Sequence, residues 1–198
     1  MNTYKGSRNI RLVAIHRGGL LDEATHRLLV SWAADCADHV LDLFEQFYPN
    51  DSRPRNAIKT ARLWSKGEAT VGEARQAAHS AHQAARDTIY KAAHHAARSA
   101  GHAVATVHMA DHELGAAYYA ILAISQATSE LGWKKMAQKE LRWQNDQLPD
   151  SIRDLVLSDQ VLRNKKFMNL FILEKPQESH TNPAEQIIKA DPEHSGSA

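Results

Sequence analysis

A single cysteine, Cys36, excludes an intramolecular disulfide framework. No stretch of 18 apolar residues is present to cross a bilayer, and no apolar run follows a basic start as in a secretory signal. Charge of one sign is also lacking: 24 basic side chains stand against 23 acidic ones, for a net charge of +1. That balance argues against nucleic acid or an anionic membrane as partner. The nearest approach to a basic block, Arg163-Asn164-Lys165-Lys166, reads as solvated surface. Internal repeats and credible strand pairs are missing as well. The expectation is a cytoplasmic protein without a cofactor.

What the chain has is alanine and histidine. Seven of its twelve histidines fall between His79 and His112. The stretch from Gly101 to Leu122, GHAVATVHMADHELGAAYYAIL, contains no proline and is long enough for a stable helix. Read as one α-helix, its first face carries His94, Arg98, Gly101, Ala105, His108, His112, Gly115, Tyr119 and Leu122. The opposite face carries Ala103, Val107, Ala110, Leu114 and Ile121, leaving a narrow watered strip with His102, Thr106 and Glu113. A helix that is apolar or small on most sides belongs at the centre of a bundle. A glycine inside a helix costs about 1 kcal/mol relative to alanine. Gly101 and Gly115 therefore predict close approach by a neighbouring helix.

Taken in order, Ile10–Ile15 alternates partly and predicts a short extended arm ended by Gly18-Gly19. Asp22 is a candidate N-cap for a helix from Glu23 to Phe47, striped by Leu29, Trp32, Ala33, Cys36, Val40, Leu43, Phe44 and Phe47. A second helix starts near Pro54 and stops at Gly67. Thr70-Val-Gly-Glu73 is a capping box opening a third, to about Arg86. A long helical stretch from Thr88 to Leu131 follows, with Gly101 as its expected bend or break. Further helices are predicted over Trp133–Gln147 and Asp150–Val161. The pattern fits one all-α domain over 10–163, a bundle of about six helices. An extension over 164–173 has no clear period, and the Pro-, Glu- and Ser-rich tail from residue 174 to 198 reads as disordered.

Several constellations have chemical readings. His108 and His112 lie one helical turn apart, as do Asp35 and His39; if their helices pack side by side, the four form a metal site. The competing reading is histidines hydrogen-bonded to nearby carboxylates. Cys36 on an apolar stripe beside Asp35 reads as a buried, inert thiol. Arg53 and Arg55 flank a proline and can clamp either a partner's carboxylate or one of the chain's own. Trp143, after Arg142, is an interface anchor or a core residue. A pocket lined by Trp32, His112 and Tyr119 is a third arrangement, suited to a small ligand. The group His79, His82, His94 and His95 reads as a partly solvated face that makes stability depend on pH.

Six phrases occur together: HRGGLL (16–21), HRLLVSWAADCADHVLDLFE (26–45), DSRPRNAI (51–58), TVGEAR (70–75), AARSAGHAVATVHMADHELGAAYYA (96–120) and RWQNDQLPDSIRDLVL (142–157). From Ile15 to Leu157 the chain resembles the all-α immunity proteins of bacterial polymorphic toxin systems, the type-5-like group. The resemblance implies a non-enzymatic protein that binds and neutralises a cognate toxin, and it implies no catalytic residue. Joined to the residue reading, it suggests occlusion by a helical face or by a cleft lined by Asp35, His108 and His112; His102, on the watered strip, is a further candidate binding residue. The alternatives are a metal-dependent enzyme using Asp35, His39, His108 and His112, and a small-ligand-binding bundle. An alanine-rich bundle carrying tryptophans is also a candidate homodimer.

Overall fold

The computed structural model describes residues 5–129 and 131–172. The tail expected to be disordered, from residue 174 onward, lies outside the described residues. Among the described residues eight α-helices follow one another: α1 Glu23–Asp38, α2 Asp42–Glu45, α3 Arg53–Ser65, α4 Val71–Asp87, α5 Lys91–Ala105, α6 Glu113–Ala127, α7 Trp133–Asp146 and α8 Asp150–Arg163. Among the described residues no strand forms, and no helix is long and apolar enough to cross a membrane. The molecule is an all-α bundle.

Local chemistry sets the starts of α1 and α4. The Asp22 carboxylate accepts from the Thr25 amide at 2.8 Å and caps α1. At α4 the capping box is complete: Thr70 Oγ1 accepts from the Glu73 amide, and the Glu73 carboxylate accepts from the Thr70 amide. The first helix departs from expectation. It stops at Asp38 and resumes as the single turn of α2, while Phe47 is left exposed and stacked on Tyr90. The predicted extended arm instead forms two 3-10 turns, Ile10–Leu12 and Ile15–Arg17. It folds back so that the Leu21 amide donates to Val13 O at 2.9 Å and the Ile15 amide to Leu21 O at 3.0 Å. Gly18 turns the chain in the left-handed region (φ 83°), and Gly19 lies so close to the Val13 carbonyl that a Cβ would overlap it.

The largest correction concerns the long central helix. It neither runs through nor breaks at Gly101. The chain leaves α5 at the β-branched pair Thr106-Val107, passes an extended Met109 (φ −154°), makes a 3-10 turn over Ala110–His112 and enters α6. Helices α5 and α6 therefore form an antiparallel hairpin, tied where Ser99 Oγ donates to Ala116 O at 2.8 Å. A continuous rod from Thr88 to Leu131 would be roughly 65 Å long and could not bury its small-residue faces against itself. Folding back also dries the strip expected to face water: Thr106 and Glu113 are fully buried.

Helix α5 is the hub, in contact with α1, α3, α4 and α6. Ala93, Ala96, Ala97, Ala100 and Ala103 on it are all fully buried. Side chains this small let helix axes come close, toward the low end of the 8–10 Å range. The large apolar groups gather elsewhere, in a cluster with Trp32, Leu29, Leu114, Ile121, Leu141 and Ile152. Phe167 and Phe171 join that cluster, so packing continues past Arg163, the expected domain edge. Arg163 itself reaches inward to two fully buried carboxylates, donating to Glu113 at 2.7 Å and to Asp159 at 2.6 Å. Its guanidinium thereby fastens α8 to the start of α6.

Candidate functional site

The two helical glycines explain where the histidines go. A Cβ on Gly101 would sit 2.4 Å from Cε1 and Nδ1 of His82, and one on Gly115 would sit 2.6 Å from Nδ1 of His102. Each glycine is thus a notch for an imidazole: α5 receives the ring of α4, and α6 receives the ring of α5. The result is a row of rings with centroids 5.1 Å (His82–His102), 5.3 Å (His102–His112) and 5.5 Å (His112–His108) apart. Tyr119 stacks on His102 at 5.1 Å, and the Arg98 guanidinium lies over the Tyr119 ring.

These imidazoles are held neutral. Burial, with His112 and His82 as like-charged neighbours, pushes His102 down to about 3, and neither of its ring nitrogens has a hydrogen-bond partner. Burial likewise pushes His82 and His95 down to about 4, and lowers His108 and His112. His94 is used differently: its Nδ1–H donates to Ala85 O at 2.7 Å near the end of α4.

At its His108 end the row opens into a cleft of about 440 Å³ beneath the N-terminal arm. The arm supplies Leu12 to Arg17, α1 supplies His26, α3 supplies Trp64, and the α5–α6 connection supplies Val107 to Ala110. Trp64 meets His26 edge-on at 4.9 Å. His26 Nε2–H donates to Thr106 O at 2.8 Å, which fixes the ring, and burial lowers its pKa. Arg8 closes one end, 3.4 Å from Asp111.

The residues singled out from sequence fall into separate places. His102, His108, His112 and Tyr119 do come together, across the hairpin rather than along one helix face. Asp35 does not join them: it accepts from Arg62 at 2.9 Å, and Arg62 also reaches Asp38 at 3.0 Å. Asp35 lies roughly 13 Å along α1 from the cleft residue His26, at 1.5 Å per residue. His39 pairs with Glu140 at 2.9 Å and lies flat on Trp143, ring centroids 3.6 Å apart. The four residues of the metal-site reading are therefore split between regions. Among the described residues no group of three or more His, Cys, Asp or Glu side chains is placed to hold a metal ion. The cleft drawn through Asp35, His108 and His112 is not formed.

Trp32 is fully buried in the large apolar cluster, its indole N–H donating to Gln144 O at 2.8 Å, whereas His112 and Tyr119 belong to the ring row. Arg53 clamps Asp51 at 2.6 Å and meets Asp87 at 2.8 Å, while Arg55 donates to Glu45 at 2.6 Å. Both arginines are thus engaged by the chain's own carboxylates. Cys36 is fully buried, and that burial, with Glu140 and Asp35 adding, pushes its thiol well up and leaves it inert.

Sequence reasoning missed the arm cleft, with His16, Arg17, His26 and Trp64. Its walls come from residues 8–26, Trp64, Val71 and the connection 107–110, and no local spacing joins them. The Arg163 anchor left a faint trace, since Asp159 and Arg163 are one helical turn apart. A family model described as "Imm-5 like putative immunity protein" matches residues 19–151, about two thirds of the chain. No curated protein and no solved structure gives a significant match.

Proposed function

The chain belongs to the Imm-5 like immunity protein family, and from that premise we propose that it binds a cognate protein toxin and neutralises it by occlusion. The toxin's working surface is covered, and no bond is made or broken. Binding takes place in the cytoplasm of the bacterium that produces both proteins. The observation that carries this reading is the family match, which spans α1 to the first turn of α8.

Two physical features support it. The frame is pre-organised: interlocked helices with alanine contacts lose little freedom on binding, so more of the contact energy appears as affinity. Exposed apolar side chains also dot the surface, with Leu20 63% and Ile89 85% accessible. Some such exposure is ordinary, but groups of such side chains are where protein partners seat.

The direct test is co-expression with the toxin domain encoded beside this gene. Protection of the host and co-elution as a stoichiometric complex are the expected results. Growth arrest despite abundant folded protein, together with no complex on gel filtration, would refute the immunity reading. Light scattering on the same column resolves whether the free protein is a homodimer.

A further inference from the structure

We propose that the cleft beneath the N-terminal arm is the socket for the toxin, and that it takes a protruding segment in which an apolar side chain is flanked by carboxylates. This rests on the immunity reading and names the surface and partner chemistry within it. At about 440 Å³ the cleft has the size of a site that swallows one or two side chains. Its interior is apolar, built on buried Leu12, Val13, Leu21 and Val107 with Trp64 as a wall. At its mouth Ile15 is 60% exposed and Val71 39% exposed, an unusual display of aliphatic surface beside a preformed hollow.

The charges at the rim decide the occupant. Every acidic group there is already engaged. Asp22 caps α1 through Thr25, Glu23 is paired with Arg27, and Asp111 is paired with Arg8. The basic groups are not all matched. Arg17 lines the cleft, and Arg75 stands one turn beyond Val71 on α4. Both are exposed, and neither forms an ion pair among the described residues. Both lie near enough to His108 to press on its charge state. His108 keeps a buried Nδ1 without a partner at the inner wall. An apolar hollow with unpaired Arg17 in its lining and unpaired Arg75 beside it is complementary to an apolar-and-acidic segment and repels a basic one. The Arg53 and Arg55 clamps, by contrast, are already closed on Asp51, Asp87 and Glu45.

The experiment uses the full chain and the catalytically inactivated toxin domain from the neighbouring gene, titrated by calorimetry at two salt concentrations. Arg17→Glu/Arg75→Glu alters two exposed side chains, and its fold is checked by circular dichroism. The socket predicts a loss of affinity of about thirtyfold or more, since like charges set against each other cost several kcal/mol. It also predicts loss of most of the salt dependence. A matched reversal far from the cleft, Lys134→Glu/Lys135→Glu, is expected to leave affinity within threefold. Wild-type protein that binds no toxin defeats the immunity reading itself. Wild-type protein that binds, with Arg17→Glu/Arg75→Glu binding equally well, overturns the socket and leaves immunity standing. Micromolar binding of inorganic phosphate or free glutamate in competition with the toxin would make the occupant a small anion and overturn the protein-segment assignment.

Discussion

Gly101 is the sharpest test of how the bundle closes. Alanine is the better helix former by about 1 kcal/mol, so Gly101→Ala in an ordinary helix would stabilise. Here the added methyl would lie 2.4 Å from two atoms of the His82 ring and 3.0 Å from its Cγ. Comfortable carbon contacts are about 3.5–4.0 Å, so the ring must retreat by about 1 Å or α4 must move off α5. Overpacking of this kind costs about 1–3 kcal/mol. The net expectation is destabilisation by up to about 2 kcal/mol. In a His82→Ala background the obstacle is gone, and the same Gly101→Ala change should stabilise by about 1 kcal/mol. Urea unfolding of the four proteins at pH 7.5, followed by far-UV circular dichroism with unchanged m-values, measures the cycle. A stabilising Gly101→Ala in the wild-type background, or the same sign in both backgrounds, would refute the notch.

The imidazole row makes the fold acid-sensitive. His102 titrates near 6.5 when unfolded and about 3 when folded, so below pH 6.5 the unfolded chain binds the extra proton and stability falls. For His102 alone the loss reaches about 3 kcal/mol by pH 4. His82 and His95, pushed down to about 4, act in the same direction. Urea midpoints at pH 7, 5.5 and 4 should fall less steeply in His102→Gln than in the wild type. Arg163→Met would leave Glu113 and Asp159 buried without their cation and is expected to cost about 3–5 kcal/mol. Adding Glu113→Gln and Asp159→Asn should restore much of that, as read by thermal unfolding. Arg53→Ala removes a part-exposed pair and should cost under about 1 kcal/mol while leaving toxin affinity unchanged. A large loss of affinity would return that clamp to the binding surface.

The sequence carried the fold further than the site. Wherever a helix end is set by neighbours in the chain, it was legible. Asp22, the Thr70–Glu73 box and the all-α class depend on contacts within a few residues. The α5–α6 hairpin was not legible, because Thr106 to His112 carries no proline or glycine to break a helix, while its burial is decided by distant contacts with α1, His26 on Thr106 O among them. The histidine positions were half legible. His102, His108, His112 and Tyr119 do meet, and the glycines do mark close approach, yet what approaches is a ring and not a helix backbone. Asp35 and His39 failed as partners of those histidines because Arg62 and Glu140, distant in sequence, hold them elsewhere. The arm cleft depends on how residues 8–17 fold back over α1, α3, α4 and the α5–α6 connection, information that no window of the chain contains.

The alanines of α5 have one more consequence. Surrounded on every side, that spindle has nowhere to put another carbon atom, so Ala97→Val or Ala100→Val would wedge its neighbours apart instead of being absorbed. The fold tolerates substitution instead at the arm, where side chains such as Arg17 and Ile15 are exposed. A frame rigid within and permissive at its margins can change its surface without being rebuilt.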